Sequence, residues 1–138
     1  MCIRDRDLNI ILIEHKKLGS TPTFENDVNL SAHAVSPDIY EIVHEDELIK
    51  VYTAIFPAGS SDNVHEHGMN TAYVITGGKV QITGPDGSVN ERNIPDGAVL
   101  HSDKMVRHQV KNIGKNDIKV LLAAVSYTHL TLPTNREV

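Results

Sequence analysis

The stretch TAYVITGGKVQITGPDGSVNERNIPDG, Thr71–Gly97, decides the fold, because it is three short β-prone runs cut by glycine-bearing breaks. Thr71–Thr76 alternates in size and polarity and stops at Gly77-Gly78. Lys79–Thr83 follows and runs into Gly84-Pro85-Asp86-Gly87, a strong hairpin signal because proline presets the turn and glycine takes the left-handed residue. Ser88–Ile94 is the return run, and Pro95-Asp96-Gly97 is a second turn. Working outward, Ile39–His44, Leu48–Phe56, Ala98–Ser102, Met105–Asn112 and Asp117–Ala124 have the same character, with a two-residue turn expected at Glu45-Asp46. About eight or nine short strands, spaced roughly 8–12 residues apart and with no helical period between Asp38 and Ala124, predict an all-β antiparallel sandwich or barrel.

The ends read differently. Met1–Arg6 and Val125–Val138 resemble translated sequencing adapter at both termini, and we set them aside from fold reasoning. This removes Arg4, Arg6 and Arg136 against Asp5 and Glu137, so the net charge of −5 becomes one unit more acidic. It also removes Cys2, the single cysteine, and His129. Disulfides, thiol catalysis and cysteine-ligated zinc are thereby excluded. The remaining chain divides into an N-terminal segment, 7–37, and a barrel domain, 38–124. Within the first, the apolar Leu8–Glu14 predicts a strand, and Lys16–Pro37 reads as loop. An acidic chain without a basic run argues against nucleic acid as partner. No apolar stretch approaches the ~20 residues that span a bilayer. With no Trp and 2 Phe, a stacking platform for bases or sugars is not expected. No leader pattern is visible, and the expectation is a cytoplasmic protein.

Chemistry enters at His65-Glu66-His67. Residues two apart on a strand point to one face, so both imidazoles can enter a barrel while Glu66 faces out. Neutral imidazoles on one inner face suit a divalent transition metal. His108 and His101 lie in the later strands as further donors. His44, beside Glu45, Asp46 and Glu47, reads as solvated; His15 and His33 fall in the N-terminal segment. Lys104 and Arg107 could greet an anionic ligand at a barrel mouth, although ordinary surface charge is the simpler reading. Tyr73 is expected to line or support the pocket.

Taken together, Gly59, five residues, His65-x-His67, a gap, Gly77-Gly78, then Pro95-x-Gly97 and His108, three residues, Asn112 resemble the two motifs of the cupin superfamily. The resemblance covers Tyr40 to Ala124. It implies a cupin-type double-stranded β-helix, a jelly-roll barrel, with His65, His67 and His108 as metal ligands and Asn112 at the asparagine of the second motif. Gly59, Gly77 or Gly78, and Gly97 would be turn glycines needing positive φ or tight reversal. The chain departs from the family at the glutamate ligand. Counting back from Gly77 puts Asn70 there, and from Gly78, Thr71; the Tyr-Val-Ile-Thr-Gly run favours the first. The interval from Gly97 to His108 is long and holds His101, which stands as the alternative third ligand.

The resemblance implies a bound iron, zinc, manganese or nickel, held by three histidines with open positions for a small-molecule substrate, as in some dioxygenases of the superfamily. No general base has a signature of its own. A non-catalytic cupin that binds a small metabolite without metal is the alternative. Because small antiparallel barrels leave edges to cover, Leu8–Ile13 is expected to pair across a two-fold axis in a homodimer.

Overall fold

The computed structural model describes residues 7–14, 30–47, 49–102 and 106–125. His15, most of the loop expected at 16–37, Lys104, the adapter-like stretch 1–6 and all of the stretch 125–138 except Val125 lie outside them. The elements are a short helix α1 (Ala32–Val35) and nine strands: β1 (Tyr40–Glu45), β2 (Ile49–Phe56), β3 (His65–His67), β4 (Asn70–Thr76), β5 (Gly78–Thr83), β6 (Val89–Ile94), β7 (Val99–Ser102), β8 (Val106–Asn112) and β9 (Ile118–Val125). They form a five-stranded sheet in the order β1-β2-β9-β4-β7 and a four-stranded sheet in the order β3-β8-β5-β6. Every strand pair is antiparallel. The chain crosses repeatedly between the sheets, which is the jelly-roll solution to burying one face of each.

Alternation puts the core on the inner faces. Tyr52, Ala54 and Phe56 of β2 are buried with Tyr40, Val80, Ile118 and Ala124. β9 sits between β2 and β4, and its run IKVLLAAV is apolar except at the exposed Lys119 because it is the central strand of its sheet. At one end of the core, Asn112 is fully buried: its amide donates to the carbonyls of Phe56 and Asn116, and its Oδ1 accepts from Gly114 N–H. Its side chain thus holds the β8–β9 connection and ties it to the end of β2.

The turns carry two corrections. Asp46 N–H donates to the Ile49 carbonyl, so the first reversal lies beyond Asp46 rather than at Glu45-Asp46. Positive φ occurs at Gly59, Gly87 and Gly97, and not at Gly77 or Gly78. Gly77 is required for another reason: a Cβ there would lie 1.9 Å from the Ile94 carbonyl oxygen, where the β6–β7 turn passes against β4.

Two further expectations change. No strand forms in residues 7–14, where Leu8, Ile10 and Leu12 are exposed. A run of β-prone residues becomes a strand only with a ladder partner, and among the described residues none pairs with it. Conversely, 32–35, read as loop, forms α1, which is too short to show a period in sequence. The bridge between Ser31 and Glu66 brings this segment over β3.

Candidate metal centre

β3 and β8 build the site. In their antiparallel ladder His65 stands opposite His108, and His67 opposite Val106. Opposed residues in such a ladder share a face, and so do residues two apart on one strand. All three imidazoles therefore enter the barrel interior side by side. Their ligand-capable nitrogens lie within 4.8 Å of one another. Ring centroids are 4.7 Å apart for His65 and His108, 4.9 Å for His67 and His108, and 5.4 Å for His65 and His67.

Two of the rings are steered from behind, His65 by Asp62 and Asn63 and His67 by Asn70. His65, 1% exposed, points Nδ1 at the Asn63 carbonyl, 3.0 Å away, and at the Asp62 carboxylate, 3.3 Å away. The proton therefore sits on Nδ1, and Nε2 keeps the lone pair. A histidine whose outer N–H meets a carboxylate is oriented and made more basic as a ligand. Asp62 is itself buried and saturated: Tyr40 Oη donates to it at 2.6 Å and Val110 N–H at 2.7 Å. Burial pushes its carboxyl pKa up, against the opposing pull of His65, Tyr40 and the Val110 amide. Burial and the nearby carboxylate also push the Tyr40 phenol well above its ordinary value.

His67 and His108 are held neutral. Burial first, and the neighbouring His65 ring second, lower the His67 pKa to about 4, against a smaller upward pull from the Gly68 carbonyl. Burial, then His67 and His65, lower that of His108 to about 3. The Nε2 atoms of these two rings are 3.1 Å apart. That is close to the roughly 3.0–3.4 Å expected between two nitrogens each ~2.1 Å from one ion. Neutral imidazoles in a buried cluster are the donor set that zinc, iron, nickel or manganese takes, so the residues present fit such a metal. No carboxylate belongs to the set.

The other sequence-chosen residues divide. Asn70 is buried at the start of β4, with its amide on His67 Nδ1 at 2.6 Å. Thr71 and Tyr73 point the opposite way along β4 and are not among the residues lining the cavity, so the expectation that they shape it is corrected by the two-residue period of the strand. Thr71 instead contacts His101 Nδ1 through its hydroxyl at 2.9 Å. His101 lines the cavity from β7, outside the three-histidine cluster. Glu66 does turn away from the histidines, yet it is 3% exposed rather than solvated, because it pairs with Arg107 directly across the ladder. That pairing removes Arg107 as a free cation at the mouth. His44 is exposed and pairs with Asp46.

Sequence reasoning missed Asp62, Tyr40 and Arg92. The aspartate three residues before His65 was the available signal for the first; nothing in sequence spacing links Tyr40 or Arg92 to the site. Above the histidines opens a cavity of about 430 Å³. Its walls are mainly aliphatic, from Val80, Ile82, Ile94, Val110, Val120 and Leu122, with Arg92, His101 and Ser102 among its polar lining.

No protein-family model matches the sequence, and no curated protein matches it. Solved structures do. A cupin domain from Bordetella pertussis Tohama I is similar with a TM-score of 0.58 at 21% identity, over 64% of this chain and 92% of that one. An RmlC-like cupin family protein with a double-stranded β-helix fold from Methanocaldococcus jannaschii matches with a TM-score of 0.56 at 14% identity, over 83% and 97% of the two chains. A Cupin 2 conserved barrel domain protein from Salinispora arenicola gives 0.55 at 14% identity, over 85% and 99%. The chain has the cupin fold, the double-stranded β-helix, as the motif spacing predicts. No helix of the described residues is long and apolar enough to cross a membrane.

Proposed function

We propose that the protein is a metal-dependent cupin acting on a small, largely apolar molecule that presents an oxygen donor or anionic group. The observation that carries this reading is the convergence of His65, His67 and His108 at one end of the aliphatic cavity. A divalent metal held by their nitrogens would supply a Lewis acid for a substrate oxygen, with coordination positions left open. Asp62 keeps the His65 proton on Nδ1, away from the metal side. The aliphatic walls exclude water and favour an apolar body. The cavity volume is in the range of ordinary small-molecule sites. Arg92, which has no carboxylate partner among the described residues, supplies positive charge along the lining for an acidic substituent.

A metal-free binding pocket is the second reading, favoured by the direct 3.1 Å approach of His67 to His108. Elemental analysis of the purified full chain, after loading with iron, zinc, manganese or nickel, divides the two. One metal per chain, lost in both His65→Ala and His108→Ala, is expected. A folded, metal-free protein under every loading condition would sink the metal reading.

A further inference from the structure

β6 inverts the alternation expected of a strand that closes a core. Val89 at its start is 59% exposed, while Arg92 faces inward. Three relations fix that direction. Arg92 stands opposite the buried Val80 in the β5–β6 ladder, it lies two residues from Ile94, which packs against the core, and it lines the cavity. Its charged neighbour goes the other way: Glu91 pairs with Lys79 at 3.3 Å on the outer face. Among the described residues no aspartate, glutamate or lysine lines the cavity, so Arg92 is the one permanently charged side chain there. Nearby polar groups are committed elsewhere. Tyr40 Oη donates to Asp62, and the Asn70 amide to the Gly68 carbonyl. His101 stands opposite Thr71, and its ring meets that hydroxyl. Water reaches Arg92, so a guanidinium without a carboxylate is tolerated in the free protein and is open to a ligand.

The ladder also separates Arg92 from the histidines. Arg92, Val80 and Asn112 form one row across β6, β5 and β8. His108 lies four residues before Asn112 on β8. In a flat sheet that is about 13 Å along the strands and about 10 Å across them. Barrel curvature and the long arginine side chain shorten the span, but the two polar groups remain opposite ends of one cavity. The inner-face residues between them are Val80, Ile82 and Val110, all aliphatic.

We propose that Arg92 holds a carboxylate at the far end of the cavity, so that the molecule bound here is two-ended: an aliphatic spine with its carboxylate on Arg92 and an oxygen donor at the three histidines. The histidine end rests on the metal reading above; the Arg92 end stands without a metal. A guanidinium presents two parallel N–H donors to the two oxygens of a carboxylate. One positive charge matches one carboxylate, whereas a phosphate monoester brings nearly two negative charges to a single cation. The aliphatic floor between the ends offers a spine no hydrogen bonds.

The metal-stripped full chain is titrated calorimetrically with octanoate, octanol and octyl phosphate. Octanoate is expected to bind about tenfold tighter than octanol. Arg92→Met removes the charge and is expected to bring the two level. Arg92→Lys is expected to keep part of the preference, since it keeps the charge but not the paired donors. Equal affinities in the wild type, binding of neither, or a preference that survives in Arg92→Met overturns the proposal. Tighter binding of octyl phosphate overturns the carboxylate. A second titration uses the zinc-loaded chain and two eight-carbon hydroxamates, one ending in a methyl group and one in a carboxylate. The carboxylate-ended probe is expected to bind about tenfold tighter to the wild type and no tighter to Arg92→Met. Equal binding of both probes by the wild type overturns the two-ended molecule. A chain that takes up no zinc overturns the metal reading and the histidine end together, while the octanoate preference of the metal-stripped protein still decides the role of Arg92.

Discussion

His108 stands directly opposite His65 in the ladder between β3 and β8, so one register decides that three histidines face one another. A slip of one residue would put Arg107 or Gln109 opposite His65 and turn His108 to the other face of the sheet. Two pins hold the register. On the inner side Asp62 ties β8 through the Val110 amide and β3 through His65. On the other side Glu66 pairs with Arg107.

Asp62→Asn tests the first pin. The carboxylate accepts from Tyr40, from the Val110 amide and from the His65 ring; an amide group in its place must turn one donor toward another. Leaving buried donors unmatched costs about 1–3 kcal/mol, to be read as a lower urea midpoint. Loss of the His65 outer partner is expected to weaken zinc about 10–100-fold in the same variant. A variant with unchanged stability and unchanged zinc affinity would show that Asp62 orients nothing.

The strands and the inward histidines were legible in the sequence, because alternation and turn chemistry are local. His65 and His67 announce a shared face through their spacing. His108 is 41 residues from His67, and no periodicity reports which residue of β8 meets which of β3; that pairing reached the sequence reading only through the motif resemblance. Asp62 was passed over because an aspartate in a Ser-Ser-Asp-Asn stretch looks like loop, and its burial follows from tertiary contacts alone. Leu8–Glu14 forms no strand within the single chain: apolar composition reads as strand, but the ladder partner expected for it belongs to a second copy. Gly77 was rightly singled out, but not for a positive φ; the backbone crossing from β6 that requires it leaves no local mark.

The neutral histidines set a pH dependence for the metal-free protein. Both folded-state pKa values lie below 6.5, so between pH 6.5 and about 4 for His67, and about 3 for His108, the unfolded chain binds more protons than the folded one. Their contribution to stability is fully present above pH 6.5 and is lost as pH falls through that window, by up to about 1.4 kcal/mol per pH unit for each ring. Asp62, shifted upward, acts with the opposite sign and offsets part of this in the acid range. Urea midpoints are expected to fall from pH 6.5 to 4 in the wild type and to fall less steeply in His67→Gln. Parallel slopes for the two proteins would remove His67 as a cause.

Gly77→Ala is expected to cost stability without touching the site. The added methyl meets the Ile94 oxygen at 1.9 Å and the carbonyl carbons of Ile94 and Pro95 at 2.8 Å. These are backbone atoms, so no side-chain rotation relieves the overlap. Overpacking of this kind costs about 1–3 kcal/mol. Gly59 makes the contrast: its φ of +79° strains any L residue, but a Cβ there meets nothing within 4 Å. Thermal unfolding of the two alanine variants separates the causes, with Gly77→Ala expected to be the less stable; the reverse order would argue against the close approach.

Arg107→Ala separates a structural pin from a ligand-reading cation. The Glu66 side chain is 1% exposed and that of Arg107 is 49% exposed, so the pair is half-buried. A fully buried pair broken on one side costs about 3–5 kcal/mol. With solvent reaching the guanidinium the expectation drops to about 1–3 kcal/mol, most of it from the carboxylate left behind. Glu66→Gln should rescue part of that loss in the double variant, because it removes the buried charge that has lost its guanidinium. Zinc affinity is expected to follow stability only weakly, since Arg107 lies across the sheet from the histidines. Loss of zinc in a stably folded Arg107→Ala, with no rescue by Glu66→Gln, would place the arginine in the site rather than behind it.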